Sequence, residues 1–173
     1  MDYKDKLRAF NSSDKYKMEV EFLNKLLGLP SVFWSQILDY GCGLGHAAYE
    51  LCADGFDVND YKEKEISNYY LNELPDKQYD RIYFMHSIAH IKNINDVLKK
   101  LRQKYNPTIT VITPNKSWID MVGDTKSDPT VIKHYNQEEL QKLFIECGYD
   151  VYLSGQFGNC YKGINERLFL QAI

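Results

Sequence analysis

No two of the four cysteines, Cys42, Cys52, Cys147 and Cys160, stand as C-x-x-C, and none has a histidine at metal-ligand spacing. That absence argues against a structural zinc site, and no metal is expected; the thiols read as free groups of a reducing compartment. Long apolar runs are missing too, so no segment reaches the length of a membrane span. The charged opening MDYKDKLRAF has no apolar stretch of signal-peptide length. The expected setting is the cytoplasm, without a membrane partner. Nor is there an excess of cations: 21 Lys and Arg against 24 Asp and Glu leave a formal net charge of -3, with the basic residues scattered among acids. A nucleic-acid partner is therefore not expected. Repeats, low-complexity tracts and linkers are absent. A chain of 173 residues that is 44% hydrophobic can bury one core, which predicts a single domain over 1–173, with an N-terminal helical segment at 1–30 and the core at 31–173.

Two nucleotide-binding signatures are also lacking. The spacing G-x-G-x-x-G fails because Gly41 and Gly43 would need a glycine where the chain has His46, and no Gly-Lys-Ser/Thr P-loop occurs. What is present is an apolar strand, Ile37-Leu38-Asp39-Tyr40, running into Gly41-Cys42-Gly43-Leu44-Gly45. Closely spaced glycines let backbone groups approach a ligand without Cβ obstruction and tolerate positive φ. Ala47, Ala48, Leu51 and Cys52 then fall at helical spacing, with Gly55 placed to close the helix. Strand, glycine turn and helix make half of a Rossmann-like unit.

Further along, Met18, Phe22 and Leu26 beside Leu23 and Leu27 predict a helix over 17–27 ended by Gly28 and Pro30. Phe56 to Asn59 reads as a second strand and Ile66 to Leu71 as a rudimentary third. Tyr79 to Met85 reads as a fourth strand, followed by a helix that Asn95 can cap and whose Val97, Leu98, Leu101 and Tyr105 share a face. Thr108 to Thr113 is a fifth strand. Asn136-Gln137-Glu138-Glu139 starts a helix with a capping box, and Tyr149 to Ser154 and Glu166 to Ala172 form a closing antiparallel pair.

The acid-x-G-x-G-x-G form of Asp39, Gly41, Gly43 and Gly45 resembles the first motif of class I S-adenosylmethionine-dependent methyltransferases. The later Tyr79-Asp80 strand and Thr113-Pro114-Asn115 are similar to segments that recur in that family in the same order. The resemblance covers about residues 15 to 173. It implies an α/β, Rossmann-like three-layer sandwich with a mostly parallel seven-strand sheet and an antiparallel C-terminal strand, abbreviated after the second strand. It implies S-adenosyl-L-methionine as cofactor and methyl transfer to an oxygen or nitrogen nucleophile of a small-molecule acceptor, by a monomer or homodimer.

By that resemblance Asp39, Gly41, Gly43 and Gly45 hold the methionine part and sugar. Asp60 accepts from the ribose, unless Lys62 or Glu63 occupies that position, and Tyr16 covers the cofactor. Where family members carry an acid near adenine this chain has Tyr70. Small-molecule relatives show L-E-H where this chain has Ile88-Ala89-His90. Histidine is suited to proton transfer near neutral pH, so His90 and His86 are the candidate bases; a structural histidine bonding a loop backbone is the competing reading. Trp118, Ile119, Met121 and Val122 lie in a long connection and either roof a substrate pocket or form a satellite core. His134, preceding the capping box, is a further substrate-contact candidate. The departures at Tyr70 and Ala89, with the abbreviated segment, also fit an alternative: a catalytically weak or silent cofactor-binding partner subunit.

Overall fold

The computed structural model describes residues 13–27, 36–123 and 128–173. Its strands are β1 (Ile37–Tyr40), β2 (Asp54–Asp57), β3 (Tyr69–Leu71), β4 (Arg81–Met85), β5 (Thr108–Pro114), β6 (Val151–Tyr161) and β7 (Ile164–Ala172). They hydrogen-bond as one seven-stranded sheet in the order β3-β2-β1-β4-β5-β7-β6. β1 and β2 pair in parallel, as do β2 and β3, whereas β7 runs antiparallel to both β5 and β6. The expected α/β fold with its antiparallel C-terminal strands is present. The chain divides into two compact units, Met1–Arg81 and Ile82–Ile173.

In the first unit, helix α1 (Ser13–Leu27) buries Tyr16, Glu19, Val20 and Leu23. Met18 and Leu26, expected on the inner face, are exposed at 64% and 39%. Met18 lies about 200° of helical rotation from Tyr16, off the stripe through Tyr16, Val20 and Leu23, whereas Leu23 of the same expected face is buried as expected. The helix stop assigned to Gly28 and Pro30 lies outside the described residues. Helix α2 (His46–Glu50) follows the glycine turn and packs against β1 and α1. It is shorter than its apolar spacing suggested. Cys52 turns the chain at φ 51°, so Gly55 ends no helix: it lies inside β2, which begins at Asp54, two residues earlier than expected.

A Cβ on Gly55 would stand 2.6 Å from Ile66 Cδ1 and 2.7 Å from Cys42 Sγ. The glycine is needed for close packing between the turn and the chain beyond β2 rather than for a positive φ. β3 is a three-residue strand, shorter than expected, and residues 58–68 contain no helix. This confirms the abbreviation after the second strand. Asp54, at the first position of β2, accepts from Asn68 Nδ2 (2.8 Å), Lys77 Nζ (2.9 Å) and Tyr79 Oη (2.8 Å). Those three bonds fasten the short β3 region to the chain leading into β4.

In the second unit, helix α3 (Ile94–Tyr105) starts after Asn93, whose carbonyl accepts from Asp96 and Val97 N–H; Asn95 is inside the helix and does not cap it. Its buried face is Ile94, Leu98, Leu101 and Tyr105. Tyr149 Oη donates to Leu98 O at 3.0 Å. Helix α4 (Lys116–Val122) replaces the irregular connection expected there: Asn115 Oδ1 accepts from Ser117 N, and Gly123 ends the helix at φ 65°. Helix α5 (Gln137–Glu146) has the expected capping box, with Glu139 N donating to Asn136 Oδ1 and Asn136 N to Glu139 Oε2. It packs on β6 and β7. These two strands are longer than expected and meet at a two-residue turn, Lys162-Gly163, with φ 51° and 79°. That is the primed turn that matches strand twist.

Candidate functional site

Two groups of residues carry chemistry, one in each unit. In the first, β1 carries the buried Asp39 one residue before its end, and the chain turns through Gly41, Gly43 and Gly45 at φ 76°, 53° and 86°. Left-handed backbone costs a residue with a Cβ roughly 1–2 kcal/mol, which is why glycines stand there. Gly41 N and Cys42 N both donate to Phe56 O in β2. Gly43 N donates to Asp57 Oδ2 at 2.9 Å, and Asn59 N donates to Asp57 Oδ1 at the same distance. A Cβ built on Gly43 would meet nothing within 4 Å. The middle of the turn is thus bare backbone next to a carboxylate.

The acid at the end of β2 is therefore Asp57, buried at 8% exposure, and not Asp60, which is exposed three positions later. The difference follows from the strand boundary, since β2 begins at Asp54. Tyr69 Oη, from β3, lies 2.8 Å from Asn59 O and 3.3 Å from Gly43 O, linking the loops after β1 and β2. Glu63 N and Lys64 N both donate to Leu44 O at 3.0 Å. In place of a helix, the segment after β2 thus folds back onto the glycine turn.

Charge in this unit is arranged around the turn. Burial, then the Asp39 and Asp57 carboxylates, push the Cys42 thiol far above its ordinary range, so the cysteine is a neutral packing group. Burial and then Asp57 push Tyr40 up to about 12. Two acids beside an uncovered backbone favour a cationic ligand. Tyr16, buried at 7%, stacks on His46 with ring centroids 6.1 Å apart and planes within 6°. Burial and then Lys64 push the His46 imidazole below its ordinary value. The expected cofactor residues Asp39, Gly41, Gly43, Gly45 and Tyr16 thus gather around one turn and the helix it starts.

In the second unit, His86 follows β4 in a left-handed conformation, φ 63°, with its N–H on Ile112 O. A short 3-10 turn, Ile88–His90, comes next. His90 is half-buried; its Nδ1 lies 2.9 Å from Thr130 Oγ1, and Thr130 Oγ1 lies 2.7 Å from Asp128 Oδ1. Thr130 N also donates to Asp128 Oδ1, closing an Asx-turn in Asp128-Pro129-Thr130. Ile132 N and Lys133 N both donate to Ala89 O, so the segment from Asp128 to Lys133 is docked on the 3-10 turn.

The same segment continues through the half-buried His134 to Tyr135, whose carbonyl accepts from Lys116 N at the start of α4. Asn115, 1% exposed, caps α4 with Oδ1 and donates from Nδ2 to Asn165 O at 2.8 Å. The polar residue of Thr113-Pro114-Asn115 is therefore a joint between β5, α4 and the β6-β7 hairpin. His90, His134 and the half-buried Trp118 lie along this connected stretch; His86 stands at the strand end before it. Asp57, Tyr69, Asp128 and Thr130 were missed in the sequence. Only Asp128-Pro129 carried a local signal, since Asp-Pro initiates turns.

Among the described residues no helix is long and apolar enough to cross a membrane, and no group of three or more His, Cys, Asp or Glu could hold a metal ion. No curated protein compared with the chain matches it. Among solved structures, the chain is similar to a SAM-dependent methyltransferase from Archaeoglobus fulgidus, with TM-score 0.75, 20% identity, and coverage of 98% of this chain and 97% of that one. A SAM-dependent methyltransferase from Aquifex aeolicus gives TM-score 0.72 and 16% identity over 99% and 98% of the two chains. Magnesium protoporphyrin IX methyltransferase from Synechocystis PCC 6803, with bound SAH, gives 0.61 and 12% over 92% and 82%. At these identities the likeness shows the shared fold. The family model described as methyltransferase domain matches residues 4–154. The chain thus belongs to the methyltransferase-domain family and is a class I S-adenosylmethionine-dependent methyltransferase.

Proposed function

We propose that this methyltransferase acts on a hydroxyl or amine of a small molecule, with His90 accepting the proton that the nucleophile gives up. The observation that carries the reading is that His90, half-buried at the end of the 3-10 turn that follows β4, has no hydrogen-bond partner for its Nε2 among the described residues. A histidine serving only the fold uses its polar atoms on the protein; this one leaves a nitrogen for something else. The formal charge of -3 and the scattered cations support a small acceptor over a nucleic acid.

The first unit fits the cofactor. S-adenosylmethionine, when bound, supplies an electrophilic methyl on a sulfonium that departs as a neutral thioether. Its cationic groups suit a turn flanked by the Asp39 and Asp57 carboxylates, and a ribose suits a carboxylate next to backbone that no Cβ covers, as at Gly43. Asp57 is the residue we assign to the ribose hydroxyls. Each of its oxygens spends one lone pair on a backbone N–H and keeps capacity for another donor. Tyr16 covers the cofactor side of α2 through its stack on His46. Trp118 and His134 are the proposed acceptor contacts.

A second reading, a silent cofactor-binding partner, is favoured by Tyr70 in the adenine-loop position and by the absence of a helix in residues 58–68. A similar fold occurs in a putative methyltransferase solved in complex with the Haloferax volcanii Trm112 activator, with TM-score 0.62. Calorimetry with S-adenosylmethionine and S-adenosylhomocysteine, followed by turnover across a panel of phenols, hydroxy acids and amines, separates the two. Binding with methylation of one acceptor is expected, and His90→Gln keeps the binding while lowering turnover. Binding without turnover on any acceptor favours the silent partner. No binding of either ligand overturns both.

A further inference from the structure

We infer that Asp128 and Thr130 are positioning residues that lock His90 in the tautomer with its proton on Nδ1, making Nε2 the lone-pair nitrogen. The argument is a count of protons. Thr130 Oγ1 has one hydrogen to give, and Asp128 Oδ1, 2.7 Å away, is a carboxylate oxygen that only accepts. The hydroxyl therefore donates to Asp128. Toward His90 it can then present only lone pairs, at 2.9 Å from Nδ1. That contact is a hydrogen bond only if Nδ1 carries the proton, and in a neutral ring the lone pair must then lie on Nε2.

The arrangement is held from several sides. Asp128 Oδ1 also accepts Thr130 N at 2.9 Å, so the carboxylate is fixed against the residue it polarises. The segment carrying both residues is tied to the 3-10 turn through Ile132 and Lys133 N–H on Ala89 O, at 2.8 and 3.2 Å. Carboxylate, hydroxyl and ring therefore keep one register. Ala89 contributes its carbonyl to that tie, and Asp128 supplies the carboxylate from a different part of the chain.

The chemical consequence rests on the proposed role of His90 as base. When Nε2 takes a proton from the acceptor's O–H or N–H, the ring becomes a cation with both nitrogens protonated. Nδ1–H keeps donating to Thr130 Oγ1, and the Thr130 hydroxyl keeps donating to the Asp128 anion, so no hydrogen bond reverses as the charge appears. The proton leaves later from Nε2 to water. In an unconstrained neutral histidine side chain the other tautomer, with the proton on Nε2, prevails and would present no base at that nitrogen.

Nitrogen-15 spectra of histidine-labelled, full-length protein, recorded where the rings are neutral, test the lock without any acceptor. The chain has four histidines, and the spectrum of His90→Gln identifies the one concerned. The expected result is protonated Nδ1 and unprotonated Nε2 in the native protein, retained in Thr130→Ser. In Thr130→Val the lock is lost and the Nε2-protonated form appears; in Asp128→Ala, where the hydroxyl is released to donate to Nδ1, both forms appear. If Thr130→Val does not fold, the comparison of Asp128→Ala with Thr130→Ser decides. A native ring protonated on Nε2, or a Thr130→Val ring unchanged from native, overturns the inference. Full turnover in His90→Gln with the native lock intact would overturn the base role alone and leave the positioning by Thr130 and Asp128 standing.

Discussion

Gly43 separates the needs of the fold from those of the ligand. Its φ of 53° penalises any side chain, yet a Cβ there would touch nothing within 4 Å. Gly43→Val should therefore lower stability by only about 1–2 kcal/mol, a few degrees in Tm by roughly 2–4 °C per kcal/mol for this size, while abolishing the calorimetric signal for S-adenosylmethionine. A large fall in Tm would mean that the glycine serves packing instead. The two acids after the turn can be ranked the same way. Asp57→Ala removes a carboxylate bonded to Gly43 N and Asn59 N, and should weaken cofactor binding roughly 10–100-fold, the scale of hydrogen bonds to a charged group. Asp60→Ala, at an exposed position, should leave affinity within about twofold on the usual scale of surface changes. Equal losses would return the ribose role to Asp60. Asp39 and the glycines were legible because their spacing is itself the signal. Asp57 was not, because its place depends on where β2 stops, and strand ends are weakly written when the strand is as short as Asp-Gly-Phe-Asp.

Elements with strong local chemistry were read correctly. The capping box at Asn136 and Glu139 marks the start of α5 to the residue, and Asn136→Ala should cost about 1 kcal/mol, seen as a lower midpoint in urea with an unchanged slope. A change in slope would point to a different unfolded or native state. Glycine was the element-level source of error. Gly55 read as a helix end because glycines often end helices, but tertiary packing against Ile66 and Cys42 decides its place in β2. Gly55→Val should be destabilising by roughly 1–3 kcal/mol through overpacking, and should shift Tm more than Gly43→Val does. The reverse order would refute the contrast drawn between them. Gly155 and Gly158 hid the length of β6 for a similar reason: a Cβ on Gly155 would stand 2.7 Å from the Phe169 ring, so the strand needs a glycine to continue. The α4 helix was illegible because its seven residues are too few to show a period, and the Asn115 cap is the main local signal for it.

For the molecule as a whole, the buried carboxylate of Asp54 sets an acid limit. Burial alone would raise its pKa, but the bonds from Asn68, Lys77 and Tyr79 together outweigh that and hold it below the ordinary value of 3.8. A group whose folded pKa is lowered contributes stability that is fully present above its unfolded value and is lost as pH falls through the folded one. The Tm should therefore hold near neutral pH and fall below about pH 4, where the unfolded carboxylate begins to bind protons first. Asp54→Asn should lower Tm at neutral pH and flatten the acid limb; an acid limb unchanged from native would assign acid unfolding to other carboxylates.

The Leu44 carbonyl, which takes two N–H groups from the segment beyond β2, has a consequence for how occupancy can be observed. The amides of Glu63 and Lys64 can exchange with solvent only when the glycine turn and the returning segment part, so both report a single opening event. A ligand seated on the turn deepens that closed state, and protection at Glu63 and Lys64 should rise together with saturation. A ligand bound there would then be registered at two amides fastened to the back of the turn.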